Sequence, residues 1–185
     1  MFPRRRRDDP HLLVVGMTGV RMGDRIAQVG CAHGGRLAAV ASKVGLSGRA
    51  AAFVPDGAAA ARARKAVEDA GVLVEIEVAP PTRLPSDSDA FDVVVVDDTN
   101  GLLAALRPEE RVAAVRELLR VLRPGGRAVV ISSAPRGGLG ALFNRGASDP
   151  PFNPTPSLEA DGFKLVRALG ERDGLAFVEG VKPKS

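Results

Sequence analysis

The sequence predicts an α/β domain, doubly wound, whose mostly parallel seven-stranded sheet ends in an antiparallel hairpin. Three observations carry this expectation. Short apolar runs alternate with runs of helical spacing from Gly23 to Gly126. The run Val93-Val94-Val95-Val96 is β-branched throughout, as a parallel strand buried on both faces requires. Near the end, two strand-like runs at 163–169 and 175–181 face each other across Gly170-Glu171-Arg172-Asp173-Gly174.

The elements follow in order. Residues 25–29 read as a strand that ends in the turn Gly30-Cys31-Ala32-His33-Gly34-Gly35. Leu37, Val40, Ala41 and Val44 recur at helical spacing until Gly45 stops the helix. A strand at 50–54, an alanine-rich helix from Asp56 to Gly71 and a strand at 73–78 come next. Residues 79–90 hold Pro80, Pro81 and Pro85, too many prolines for a full helix, so one crossover is abbreviated. After the strand at 91–96, Pro108 opens a helix with Glu109 and Glu110 in its first turn, where acids suit the helix dipole. Pro124-Gly125-Gly126 breaks that helix before a strand at 127–132. Residues 134–156 read as a long loop, and 157–161 as a short helix.

Composition narrows the function classes. The formal net charge of +4 is that of the run Arg4, Arg5, Arg6 and Arg7, so the rest of the chain is electrically balanced. Residues 1–10 therefore read as a basic flexible arm and 11–185 as one domain. The absence of Trp and Tyr disfavours single-strand nucleic-acid binding, which stacks bases on aromatic rings, and leaves only the arm for phosphate contact. No apolar run is long enough to cross a membrane. With Cys31 alone and two histidines, neither an internal disulfide nor a zinc site is expected, and a cytoplasmic setting fits.

Ligands of open parallel sheets bind beyond the carboxyl ends of the strands. The glycine turn, Asp56, residues 79–84 and Asp97-Asp98-Thr99-Asn100 all fall there. Small residues at Gly30 and Gly34 predict a tight turn with its backbone open to a ligand. Gly23-Asp24-Arg25-Ile26, Val29-Gly30-Cys31-Ala32-His33-Gly34, Leu84-Pro85, the valine run and Arg120-Val121-Leu122-Arg123-Pro124-Gly125-Gly126-Arg127 occur in a telling order and spacing. In that order they resemble the class I S-adenosylmethionine-dependent methyltransferases, with a Rossmann-like sheet, over nearly the whole chain.

The resemblance implies S-adenosylmethionine as cofactor and an unidentified methyl acceptor as partner. It places cofactor contacts at Gln28, Gly30, Ala32, Gly34, Val54, Asp56 and Asp97, and catalytic roles at Asp97 and Asp98. It also exposes a degenerate motif. Gln28, Val54 and Pro80 stand where the family carries acids, and Asp56 is the nearest carboxylate to the ribose position. Two readings of Asp56 stay open, a ribose contact and a helix N-cap. Asp97 and Asp98 are either proton acceptors or ordinary strand-exit residues. His33 is either a ligand contact or a bystander. Asp149-Pro150-Pro151-Phe152 looks like an amino-group methyltransferase signature, but it follows the fifth strand instead of the fourth and is read as coincidence. Three functions follow: a methyltransferase, a non-catalytic binding or scaffold domain on that fold, and another nucleotide-using activity such as a reductase.

Overall fold

The computed structural model describes residues 11–134 and 152–184. The arginine arm, and most of the long loop with Asp149, Pro150 and Pro151, lie outside the described residues.

Seven strands form one sheet in the order β3-β2-β1-β4-β5-β7-β6. Around it the chain runs α1 (Leu12–Thr18), β1 (Arg25–Val29), α2 (Gly34–Val44), β2 (Arg49–Val54), α3 (Gly57–Ala70), β3 (Glu75–Val78) and β4 (Phe91–Asp97). It continues with α4 (Pro108–Val121), β5 (Leu122–Ser133), α5 (Pro154–Ala160), β6 (Lys164–Arg172) and β7 (Leu175–Val181). The pairs among β1 to β5 are parallel, while β7 is antiparallel to both β5 and β6. The strand order reverses between β1 and β4, so their carboxyl ends open the crevice of a doubly wound sheet.

Strand periodicity explains the valine run. Ala27, Val29, Val94, Val96, Ala128 and Val130 point to one face and pack with Leu118, Val121 and Leu158 of α4 and α5. Ile26, Val93, Val95, Val129 and Ile131 point to the other and meet Val14 of α1 and Val40 and Val44 of α2. Each alternate residue needs an apolar partner, so no position in the middle of β4 tolerates a polar side chain.

Three of the differences between the predicted and the observed elements have a clear physical reason. The first is the stretch before β5, which starts at Leu122 directly out of α4, with Pro124-Gly125-Gly126 inside the strand. A Cβ at Gly126 would lie 2.8 Å from the Arg123 carbonyl and 3.0 Å from that of Asp92, so the glycine lets two backbones approach where the register shifts. The second is the hairpin, where β6 runs on to Arg172. The turn is only Asp173-Gly174, both in the left-handed region (φ 54° and 75°), matching the twist of a two-residue connection. The third is β3, which begins at Glu75 instead of 73 because its pairing with β2 spans only Ala51 to Val54.

The crossover at 79–90 contains no helix, as its prolines require. It is pinned by α4: the Arg120 guanidinium donates to the carbonyls of Ser86 (2.8 Å) and Leu84 (3.1 Å), and Glu117 accepts the Leu84 amide at 2.8 Å.

The packing makes a direct prediction. Leu118→Ala, at 1% exposure between α4 and the sheet, is expected to cost about 3 kcal/mol by chemical denaturation. Leu46→Ala, at 93% exposure, is expected to stay within about 0.5 kcal/mol. Equal losses at the two positions would contradict the core described.

Candidate functional site

Three segments meet at the crevice: the glycine turn after β1, the start of α3 after β2, and residues 97–106 after β4. Gly30 adopts φ 82°, and its amide donates to the Phe53 carbonyl at 2.8 Å. The turn is tight, as its small residues predict. Its open faces, however, are filled by protein. A Cβ at Gly30 would lie 2.8 Å from Leu102 Cδ2 and 2.9 Å from the Asp97 carbonyl. One at Gly34 would lie 2.5 Å from Ala66 Cβ on α3. Glycine is needed at both positions for close packing, whatever ligand comes.

His33 stands at the N-cap of α2 and makes no side-chain cap bond, and the positive end of that helix dipole suits an anionic group. The rings of His33 and His11 lie 5.2 Å apart, and His11 covers Gly35. Ala32 is half-buried and His33 exposed. Cys31 is buried, and burial with the charge of Asp97 pushes its thiol pKa up, as in an unreactive cysteine.

Asp97 is fully buried, and both its oxygens are engaged. The Arg36 guanidinium donates to Oδ1 at 2.9 Å and to Thr99 Oγ1 at 2.6 Å. Thr99 Oγ1 in turn donates to Asp97 Oδ1 at 2.7 Å, and the His33 amide donates to Oδ2 at 3.3 Å. This bridge ties the end of β4 to the first turn of α2. Arg36 escaped the reading of the sequence, although a signal was there: a cation in the first turn of a helix opposes the dipole and needs another reason.

Asp98 is buried as well, at 4% exposure, and its Oδ1 accepts the Leu103 amide. Removal from water raises its pKa to about 6, and the neighbouring charge of Asp97 adds to the rise. The amides of Leu103 and Ala104 and the charge of Arg111 pull it back down.

The expected cofactor positions divide. Gln28 is buried and donates to the Gly30 carbonyl at 3.0 Å, so it braces the turn from inside. Val54 has no exposed surface and packs with Leu37, Ala59 and Ala60. Asp56 is exposed and caps α3, its Oδ1 accepting the Ala59 amide at 2.7 Å. Pro80 is exposed. The start of α2 therefore suits an anionic group, whereas the packed turn and the positions of Gln28, Val54 and Pro80 offer no acid to a ribose or an adenine.

Two cavities bear on the site by their placement. One of about 320 Å³ lies at the carboxyl end of β5, between Ser132, Ser133, Phe152, Thr155, Gly170 and Phe177. Ser133 Oγ donates to the Thr99 carbonyl at 3.0 Å, joining this cleft to the end of β4. A roomier one, about 570 Å³, lies at the amino ends of β2 and β3 between Leu46, Arg49 and Leu73, away from every candidate residue. Strand direction assigns ligands to the carboxyl ends, so size does not make it the crevice. Among the described residues no cluster of His, Cys, Asp and Glu is suited to a metal ion, and no helix is long and apolar enough to cross a membrane.

Comparison with known proteins agrees with the fold. The profile of the methyltransferase domain family matches residues 26–126. The ubiquinone/menaquinone biosynthesis C-methyltransferase UbiE of Pseudomonas fluorescens (strain SBW25) is 31% identical over 119 residues, 63% of this chain. The match spans only 44% of that relative's length. A SAM-dependent methyltransferase from Aquifex aeolicus superposes with a TM-score of 0.71 at 18% identity, covering 92% of this chain and 88% of its own. The [4+2]-cyclase SpnF has a TM-score of 0.66 at 19% identity, covering 94% and 79% respectively.

Asp98 predicts a pH dependence whose sign is fixed by its pKa. The native value of about 6 lies above the ordinary 3.8, so between these values the native state holds more proton than the unfolded one. Its contribution to stability is present below pH 4 and is lost as pH rises through 6, by at most about 3 kcal/mol. Asp98→Asn keeps an acceptor for Leu103 without the charge, so it is expected to raise Tm at pH 7.5 and to flatten the loss between pH 5 and 7. A lower Tm at both pH 5 and pH 7.5 would show that the loop needs the charge itself.

Proposed function

Because the chain belongs to the methyltransferase domain family, we propose that it is an S-adenosylmethionine-dependent methyltransferase of low cofactor affinity. Its acceptor on this reading is a small molecule. The observation that carries the reading is the site's position: the glycine turn, the start of α2 and Asp97 stand together at the reversal of strand order in the family's sheet. The cofactor, when bound, supplies an electrophilic methyl group on a sulfonium.

The residues of this chain bind and orient. The start of α2 receives an anionic group, Gln28 and Asp97 hold the turn in shape from below, and Asp56 is the carboxylate nearest in sequence to the ribose position. Neither acid at the end of β4 stands free. Asp97 is engaged by Arg36, Thr99 and His33, and Asp98 lies under loop amides, so both are assigned to positioning, which is the main demand of an in-line transfer. The cleft at the end of β5 is at the small end of ligand-sized cavities, which favours a small acceptor over a macromolecular one.

Two observations favour a second reading, a non-catalytic domain on this fold. The Arg36–Asp97 pair, half-buried on the arginine side, spans the crevice, and the acids for the adenosine half are missing together. The similarity to a cyclase is a reminder that this fold alone does not set the reaction.

Calorimetric titration with S-adenosylmethionine and S-adenosylhomocysteine separates the readings. The expected dissociation constant is on the order of 100 μM, about 5.5 kcal/mol, because the acids at Gln28, Val54 and Pro80 are lacking and Asp56 replaces only part of their charge-assisted bonding. Restoring an acid by Val54→Asp is a poor test, since it buries a charge in a closed core. Asp56→Ser is better: serine keeps the helix cap, so stability is expected to hold within about 0.5 kcal/mol while affinity falls about tenfold. Unchanged affinity would leave Asp56 a cap and nothing more. Absence of binding to the parent would favour the non-catalytic domain.

A further inference from the structure

We propose that Arg111 is a positioning residue that holds both walls of the crevice at once: the loop over the glycine turn and, through Phe152, the cleft at the end of β5. What the crevice does rests on the methyltransferase reading; the coupling itself rests on contacts that do not depend on it.

Residues 101–106 form no helix or strand, yet they cover the turn, with Leu102 against Gly30. The loop is gripped from two sides. From β4, the Asp98 carboxylate receives the amides of Leu103 and Ala104. From α4, Arg111 Nε donates to the Leu103 carbonyl at 3.1 Å, and Nη2 donates to those of Ala104 at 3.2 Å and Leu106 at 3.0 Å. The same guanidinium lies over the ring of Phe152, 4.5 Å from its centroid. Phe152 lines the 320 Å³ cleft.

One planar group therefore fixes three carbonyls of one wall and an aromatic ring of the other. Lysine lacks both the fork and the flat face that this requires. Arg111 also stands at the fourth residue of α4, near the positive end of the helix, where a cation gains nothing from the dipole. Its place there is explained by these contacts. The charged groups that bear on Asp98 are Asp97 of β4 and Arg111 itself.

The chain contains no tryptophan, so Phe152→Trp installs a single fluorescent reporter on the far wall. In that background Arg111→Gln is expected to raise acrylamide quenching severalfold, and Arg111→Lys is not expected to rescue it. The decisive variant is Asp98→Ala, whose carboxylate takes its hydrogen bonds from the loop amides and makes no contact with Phe152. It is expected to raise quenching of the reporter indole when Arg111 is present and to add nothing once Arg111→Gln is in place. An unaffected reporter in Asp98→Ala, or additive effects of the two changes, would overturn the coupling.

Hydrogen exchange on chains that keep Phe152 provides a second reading, with the amides of Leu103 to Leu106 expected to exchange at least about tenfold faster in Arg111→Gln. Unchanged exchange would equally overturn the role. Titration with S-adenosylhomocysteine is run alongside, and Arg111→Gln is expected to weaken binding severalfold. A parent that binds none counts against the functional reading, while the coupling is decided by the fluorescence of the reporter.

Discussion

Because β4 runs through the middle of the sheet with helices on both faces, its last residue, Asp97, and the Asp98 that follows lie in a place poor in water. A carboxylate there must be neutralised, paired or given amides, since an unpaired buried charge costs several kcal/mol. The chain answers this demand twice. Asp97 draws Arg36, Thr99 and the His33 amide onto itself, and Asp98 draws the amides of the following loop. The shape of the crevice follows from these two answers: one fixes the glycine turn and the start of α2, the other folds residues 101–106 over Gly30.

The same contacts explain why the site looks closed. A buried ion pair adds little net stability, because desolvation offsets most of its attraction, but it defines geometry sharply. Arg36 and Arg111 both sit near helix amino ends, where the dipole disfavours cations. Each is retained against that cost by acceptors that only the folded chain brings near: Asp97 and Thr99 for Arg36, three loop carbonyls and a ring for Arg111. The crevice of this methyltransferase-family chain is thus built from arginines reaching across it, in contrast to the carboxylates that the family motif leads one to expect.

Much of the fold was legible because its signals are local. Alternation of strand and helix periods, the valine run and the prolines at 80, 81 and 85 each constrain their own segment, and the sheet follows by parallel pairing. The errors arose where a contact from elsewhere decides. Pro124-Gly125-Gly126 reads as a break, yet backbone hydrogen bonds with Lys182 hold it in β5. Gly170 to Gly174 reads as a turn, yet pairing with β7 shortens it to two residues.

At the site the division is sharper. By itself the sequence determined which residues reach the carboxyl end of the sheet, Gly30 to Gly34, Asp56, Asp97 and Asp98, because strand length and turn chemistry are properties of neighbouring residues. It also determined that acids are absent at Gln28, Val54 and Pro80. Only the tertiary structure decided what those residues hold. Arg36 and Asp97 are 61 positions apart, and Arg111 meets Phe152 only because α4 and the segment before α5 pack on the same face. Such pairings depend on distances set by the packed sheet, and no period or motif within either segment encodes them.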